Sequence, residues 1–354
     1  VRLENLSDAD DTKILRAALE SQSAEVELGE GGTTARFFLA RTALKSDNRI
    51  LKGSQRLCER PIQPLTDALQ KLGAKITFLR TPGFLPLKME GGNLSGGEVE
   101  LEASVSSQFI SALMMIGPVL PEGLTINLKG KQVSRPYVEM TAELMRICGA
   151  SITEVDDKIS IAPAGYSDTL IRVEPDWSAA SYFYACVAQN RDLKLYFPGL
   201  ALNSLQGDRR TADIFSKLGV STIEASGGLL VDGYGEMNPL DHIDFLDCPD
   251  LAQTIAATYA ALDLPLRLSG LQTLRAKETD RIAAMQRVLT NLGVDSFSDS
   301  ASLNLKPHGS LNQNVLVKTF NDHRMAMSFA VLGQMIPIRI ENPGVVAKSF
   351  PDFL

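Results

Sequence analysis

PLTDALQKLGAKITF, residues 64–78, carries the pattern that decides the fold. Its apolar residues recur at i, i+3/i+4 and i+7, so the segment forms a helix with one buried face. Gly73 fits the left-handed end of that helix, and the β-prone run after it reads as a strand. The same shape returns in MTAELMRICGASITEV (140–155), TADIFSKLGVSTIEA (211–225) and MQRVLTNLGVDSF (285–297). The marking glycines, Gly73, Gly149, Gly219 and Gly293, stand 76, 70 and 74 residues apart. One helix–glycine–strand is ordinary α/β packing. Four at a near-constant period are a repeat. DDTKILRAALE (10–20) reads as another copy of the helix, shortened at its end.

Upstream of each copy lies a second helix that is apolar all round, hence buried. These helices are TTARFFLARTAL (33–44), SSQFISALMMIGPVL (106–120), SAASYFYACVAQ (178–189), LAQTIAATYAALD (251–263) and HRMAMSFAVLGQM (323–335). Strands are expected in EVELEASV (98–105), LTINLKG (124–130), DLKLYFPG (192–199), LPLRLSG (264–270) and IPIRIEN (336–342). The chain therefore reads as four complete copies with parts of two more, one at each end.

Composition narrows the functional classes. A chain of 354 residues suggests two domains with sizeable cores. With 22% charged and 44% hydrophobic residues it is an ordinary globular sequence. A net charge of −7 argues against non-specific nucleic-acid binding, so an anionic substrate needs a local basic pocket. Three His and no Cys-x-x-Cys argue against a zinc site, and no metal is expected. Cys58, Cys148, Cys186 and Cys248 are scattered and read as reduced thiols of a cytoplasmic protein. No apolar run approaches the roughly 18 residues of a membrane span, and no signal peptide is visible. The chain begins abruptly, inside what reads as a structured segment.

The chemistry gathers where the buried helices start. Gly31-Gly32-Thr33-Thr34-Ala35-Arg36, Ser106-Ser107-Gln108, Asp176-Trp177-Ser178, Asp250 and Asp322-His323-Arg324 all fall there. Any one of these could be a plain helix cap. Parallel helices would bring five such starts to one surface and make a shared anion site. Two blocks stand out, Lys277-Glu278-Thr279-Asp280-Arg281 and Asn321-Asp322-His323-Arg324-Met325-Ala326-Met327. Each sets cations, carboxylates or an imidazole beside a free helix N-terminus. That combination can hold a multiply charged anion while protons move around it.

GGTTAR, RPI, SVSSQF, SRPY, CPD, KETDR, NDHRMAM and AKSFPDF, in this order, resemble the 5-enolpyruvylshikimate-3-phosphate synthases of the shikimate pathway. The resemblance runs from about Leu3 to Leu354; KETDR and NDHRMAM are its most specific parts. It implies the α/β enolpyruvyl transferase fold, with two domains, each of three βαβαββ units around buried parallel helices. The boundary should fall near Val173 and Glu174, giving domains 1–173 and 174–354. The implied reaction moves the enolpyruvyl group of phosphoenolpyruvate to the 5-hydroxyl of shikimate 3-phosphate and releases phosphate. It uses no metal or organic cofactor. The implied protein is a monomer whose partners are these two small molecules, not nucleic acid or membrane.

Residue by residue, the resemblance places phosphoenolpyruvate on Gly32, Arg60, Gln108, Arg281, Arg324 and Lys348. These come from both halves, so the ligand is expected between the domains. Guanidinium forks suit carboxylate and phosphate, and a glycine lets a ligand approach the backbone. Shikimate 3-phosphate falls to Ser106, Ser107, Gln108, Ser134, Tyr137, Asp250, Thr273 and Lys277. Addition followed by elimination needs an acid and a base. Asp250 fits the base near the 5-hydroxyl. Glu278 fits the group exchanging a proton with the methylene carbon, and His323 a group that polarises or orients its neighbours.

Some positions depart from the family pattern. Its Gly-Ser-Lys-Ser-x-x-x-Arg segment has no copy here and would lie upstream of Val1; without it residues 1–354 are expected to be inactive or nearly so. Glu30 replaces an Asn and should turn outward, Phe37 stands where many members have Pro, and Thr273 replaces an Asn. Two other readings remain at this point. One is a UDP-N-acetylglucosamine enolpyruvyl transferase, whose reactive Cys lies five residues before an Arg-Pro; Cys58 lies only two before Arg60-Pro61. The other is a catalytically silent ligand-binding fragment.

Overall fold

The computed structural model describes residues 1–45, 48–307 and 309–354. The chain divides into two compact units, Val1–Val173 and Glu174–Leu354. Each has its own apolar core.

All four glycine-marked segments form as read. Helices Gln63–Lys71, Arg135–Ile147, Arg210–Ser216 and Arg281–Asn291 are each followed by strands Lys75–Phe78, Ile152–Val155, Ser221–Ala225 and Ser296–Ser298. The glycines between them have φ of +115°, +91°, +80° and +88°, a region that a side chain would strain. The buried helices also form: Gly32–Leu44, Ser107–Ile116, Trp177–Gln189, Ala252–Ala261 and His323–Ala330. Several are shorter than the apolar run suggests. The second gives way at Gly117-Pro118 to a 3-10 turn, since proline has no N–H to continue the ladder.

In the first unit two repeats are complete. Glu25–Glu27 pairs in parallel with Asn48–Lys52, which meets Leu87–Glu90 antiparallel, and Lys75–Phe78 closes the edge. Gly97–Glu102, Leu124–Lys129, Lys158–Ile161 and Ile152–Val155 repeat this order. The strand expected at 98–105 stops at Glu102, and the next residues turn into the helix that Ser106 caps.

In the second unit His242–Asp244, Leu266–Ser269, Leu303–Leu305 and Ser296–Ser298 make a third four-stranded sheet. The expected fourth complete copy has only three strands, Lys194–Pro198, Gly228–Asp232 and Ser221–Ala225. In the first unit Leu170–Arg172 pairs in parallel with Arg2–Glu4. Val315–Val317 and Ile338–Ile340 form a two-stranded piece.

Three buried helices of the second unit run side by side in one direction. Ser178, Asp250 and Arg324 meet at their starts. About one turn later Ser181 Oγ lies 3.2 Å from Thr254 Oγ1, which lies 3.1 Å from Ser328 Oγ. A contact at the starts and another a turn later fix both direction and register. These hydroxyls are buried, and pairing them removes the cost of burying them alone.

Candidate active site

Helix capping accounts for part of the polar residues at the helix starts. Ser106, Asp176 and Asp322 accept from the backbone N–H of Gln108, Ser178 and Arg324, at 3.3, 2.8 and 2.9 Å. Asp250 does not cap. It sits in the 3-10 turn Pro249–Leu251 and points its carboxylate at cations.

Those cations build the site of the second unit. Arg281 Nη1 donates to Asp250 Oδ1 at 2.8 Å and Nη2 to Glu278 Oε2 at 2.9 Å. Nε and Nη2 together hold Asp322, at 2.7 and 3.2 Å. One buried guanidinium thus fixes three carboxylates from three helix starts. Lys277 Nζ lies 3.4 Å from Asp250 Oδ1, Arg324 Nη2 3.3 Å from Asp250 Oδ2, and Lys348 Nζ 3.8 Å from Glu278 Oε1. Asp250, Lys277, Glu278, Arg281, His323, Arg324 and Lys348, scattered over 99 residues of sequence, therefore form one cluster. Thr273 lies nearby in sequence, in the turn Gln272–Ala276, with a buried hydroxyl that has no protein partner among the described residues.

Electrostatics sort the members. Burial opposes ionisation of Asp250, but Arg324, Lys277 and Arg281 outweigh it and hold the carboxyl well below the usual range. Asp250 is ionised, and these cations hold its basicity down. Burial pulls His323 down to about 3, so the imidazole is neutral. Its Nδ1 lies 3.7 Å from Asp322 Oδ1. A neutral ring can orient or polarise a group but carries no spare proton charge.

The His323 shift has a stability consequence. Its folded pKa lies below the ordinary value of about 6.5, so between these pH values the unfolded chain binds more protons. Stability therefore falls as pH drops from about 6.5 towards 3, with a His323 contribution of up to about 1.4 kcal/mol per pH unit. His323→Gln should flatten the curve of Tm against pH in that window. An unchanged slope would show that His323 does not titrate on unfolding.

In the first unit Gly32 opens the helix Gly32–Leu44. A Cβ there would sit 2.6 Å from Arg60 Nη2 and 2.8 Å from Arg36 Nη1, so two buried guanidinium groups crowd its backbone. Arg36 Nη1 donates to Gly32 O at 2.9 Å, and the Arg36 guanidinium lies 5.5 Å from the centre of the Phe109 ring. Gln108 Nε2 donates to Thr33 Oγ1 at 2.9 Å, joining two helix starts. Ser134 precedes the helix Arg135–Ile147 in the left-handed region, φ +53°, which costs a non-glycine residue about 1–2 kcal/mol. Its hydroxyl makes no cap bond. The segment before it is tied to the one before Ser106 and Ser107 by Val133 N–H to Ala103 O at 3.3 Å. Tyr137 lies in the first turn of that same helix. Glu30 is exposed.

Sequence reading did not give the buried charges Asp322, Arg36 and Asp208 the places they take in the structure. Asp322 passes for a simple cap, yet it is the fully buried counter-charge behind Arg281. Asp208 is a buried charge whose partner Ser178 lies 30 residues away, and Arg36, read only as part of a helix start, is buried against Gly32 O.

Helix starts that hold cations around carboxylates can bind a polyanion and carry out acid–base chemistry on it. The chain's fold is that of the enolpyruvyl transferases. The structure of EPSP synthase from Acinetobacter baumannii matches it with a TM-score of 0.71 and 23% identity, over 94% of this chain and 78% of that one. The enolpyruvyl transferase NikO from Streptomyces tendae gives 0.71 and 15% identity, over 100% and 87%. A 3-phosphoshikimate 1-carboxyvinyltransferase of Bacteroides fragilis (strain YCH46) is 42% identical over 356 residues, 99% of this chain and 87% of that protein. The EPSP synthase (3-phosphoshikimate 1-carboxyvinyltransferase) family matches residues 3–354, and the chain belongs to it. That sets aside the UDP-N-acetylglucosamine reading. Cys58 agrees: burial raises its thiol pKa, and its Sγ lies 3.4 Å from Gly53 O. A reactive cysteine is expected to be a thiolate.

Proposed function

We propose that the protein to which these residues belong transfers the enolpyruvyl group of phosphoenolpyruvate to the 5-hydroxyl of shikimate 3-phosphate, releasing phosphate, within aromatic amino-acid biosynthesis, with residues 1–354 supplying the groups described above. The observation that carries the site assignment is the single guanidinium of Arg281 holding Asp250 and Glu278. It keeps two proton-handling carboxylates apart but adjacent. Asp250 takes the 5-hydroxyl proton as the oxygen attacks C2 of phosphoenolpyruvate, and Glu278 protonates C3. In the reverse sense, Glu278 removes a proton from the resulting methyl group as the C2–O bond to phosphate breaks. His323, neutral, orients the groups beside it.

Arg60, Arg324 and Lys348, with Gly32 and Gln108, serve the phosphoenolpyruvate anion. Arg281 adds its charge there while bracing the carboxylates. Ser106, Ser107 and Ser134 serve the phosphate of shikimate 3-phosphate, with Gln108, Tyr137, Thr273, Asp250 and Lys277 on the ring. When a substrate anion draws Arg324 and Lys277, Asp250 loses the charges that depress its basicity. Substrate binding thereby readies the base. The proposed reaction uses no metal. No helix is long and apolar enough to cross a membrane among the described residues. The protein works as a cytoplasmic monomer; four free cysteines suit that compartment. Phosphate release on mixing both substrates, and none with either alone, tests this reading.

Gly32 supplies a sharper test of the anion site. Gly32→Ala forces Arg60 and Arg36 to give way, because the added carbon would lie 2.6 and 2.8 Å from their nitrogens. The KM for phosphoenolpyruvate should rise about tenfold or more, the scale of one weakened charge-assisted contact. The KM for shikimate 3-phosphate should move much less. Equal KM values in variant and wild type would remove Arg60 from the anion site.

A further inference from the structure

Arg324 is gripped from two sides. On one, its Nη2 pairs with Asp250 Oδ2 at 3.3 Å, and Nη1 lies 3.4 Å from Asp250 O. On the other, Nη2 donates to Ser178 Oγ at 3.4 Å, and the Ser178 hydroxyl donates to Asp208 Oδ2. Asp208 belongs to the 3-10 turn Gly207–Arg209 and is 2% exposed.

We infer that Asp208 is a positioning residue for Arg324, acting through Ser178. A hydroxyl has one hydrogen and two lone pairs, whereas an ionised carboxylate only accepts. With its hydrogen committed to Asp208, Ser178 can present only a lone pair to the guanidinium. The hydroxyl rotor is thereby fixed in the sense that Arg324 needs. The intervening oxygen also matters. Asp250 already sets one carboxylate on the guanidinium, and a second placed directly there would offset still more of the charge meant for substrate. A serine between them orients the arginine and leaves that charge to compete for an anion.

The surroundings are built for this task. Ser178 is not needed as a cap, because Asp176 accepts its backbone N–H at 2.8 Å. Gln206, two residues before Asp208, accepts the Trp177 N–H at 2.9 Å and donates to Pro175 O at 2.8 Å. One short segment thus fixes both the backbone of the helix start and the hydroxyl upon it. The arrangement resembles the outer partners that orient metal-bound histidines, here applied to an anion-binding arginine.

This inference rests on the reading that Arg324 holds phosphoenolpyruvate, so the test carries a control for that reading. The variants are Ser178→Ala, Asp208→Asn, the pair together, and Arg324→Lys, each made in the whole protein. The measurements are KM for both substrates, kcat and Tm. Each single variant should raise the KM for phosphoenolpyruvate about tenfold, and the double variant no more than the larger single, because the two act in one chain. The KM for shikimate 3-phosphate should change less than about twofold, and Asp208→Asn should be no milder than Ser178→Ala, since an amide can donate and turn the hydroxyl towards Arg324. Arg324→Lys should exceed them all. If Arg324→Lys raises that KM while Ser178→Ala and Asp208→Asn do not, the relay is wrong and the reading of Arg324 stands. If Arg324→Lys leaves it unchanged, that reading fails and the relay with it. Additive losses that affect both substrates equally and track Tm would show a merely structural role.

Discussion

Asp250→Asn should lower turnover by about 10²–10⁴, the usual contribution of a positioned general base. The substitution keeps the volume and removes the charge. Arg324, Lys277 and Arg281 then lose a shared counter-charge, from 3.3, 3.4 and 2.8 Å. These cations should hold an incoming anion at least as well as before. The expected signature is therefore a large fall in kcat with an unchanged or lower KM for phosphoenolpyruvate. A pure binding residue would give the opposite pattern. Turnover near that of the wild type would remove Asp250 from the base role.

Arg281→Met should be the most destabilising substitution in the second unit. Arg281 is 1% exposed and its nitrogens reach Asp250, Glu278 and the fully buried Asp322. The three carboxylates pull its pKa upward although burial works against its charge. Methionine fills much of the space but leaves buried carboxylates without their shared partner. Breaking a buried pair from one side costs about 3–5 kcal/mol, which lowers Tm by roughly 6–20 °C in a domain of 150–250 residues. Arg281→Lys should recover part of this, because a point charge cannot fork between Asp322 and the other two. A melting temperature within about 2 °C of the wild type would show that the carboxylates find water or protons instead.

The glycine-marked helices were legible because their signals are local. Gly73, Gly149, Gly219 and Gly293 each end a helix whose apolar spacing is visible within eleven residues or so. The motifs KETDR and NDHRMAM were legible as charge at helix starts. What escaped was long-range. The pairing of Leu170–Arg172 with Arg2–Glu4, 168 residues away, has no local signal. Asp322 looks like a cap and does cap, and nothing local says that Arg281, 41 residues earlier, leans on it. Asp208 reaches Ser178 across 30 residues, and Ser178 reaches Arg324 across 146. Sequence also cast Arg281 chiefly as a substrate contact. The structure adds a second task for its fork, holding three carboxylates in place.

On the proposed route, enolpyruvyl transfer passes through a methyl group, with Glu278 exchanging the proton at C3. Turnover in deuterated water, with mass analysis of the product, tests it most directly. The product methylene should carry solvent deuterium in the wild type, and Glu278→Gln should slow deuterium uptake and phosphate release together. Product formed at full rate with no deuterium in its methylene group would contradict the account, because the vinyl group would then have been transferred without ever taking up a proton.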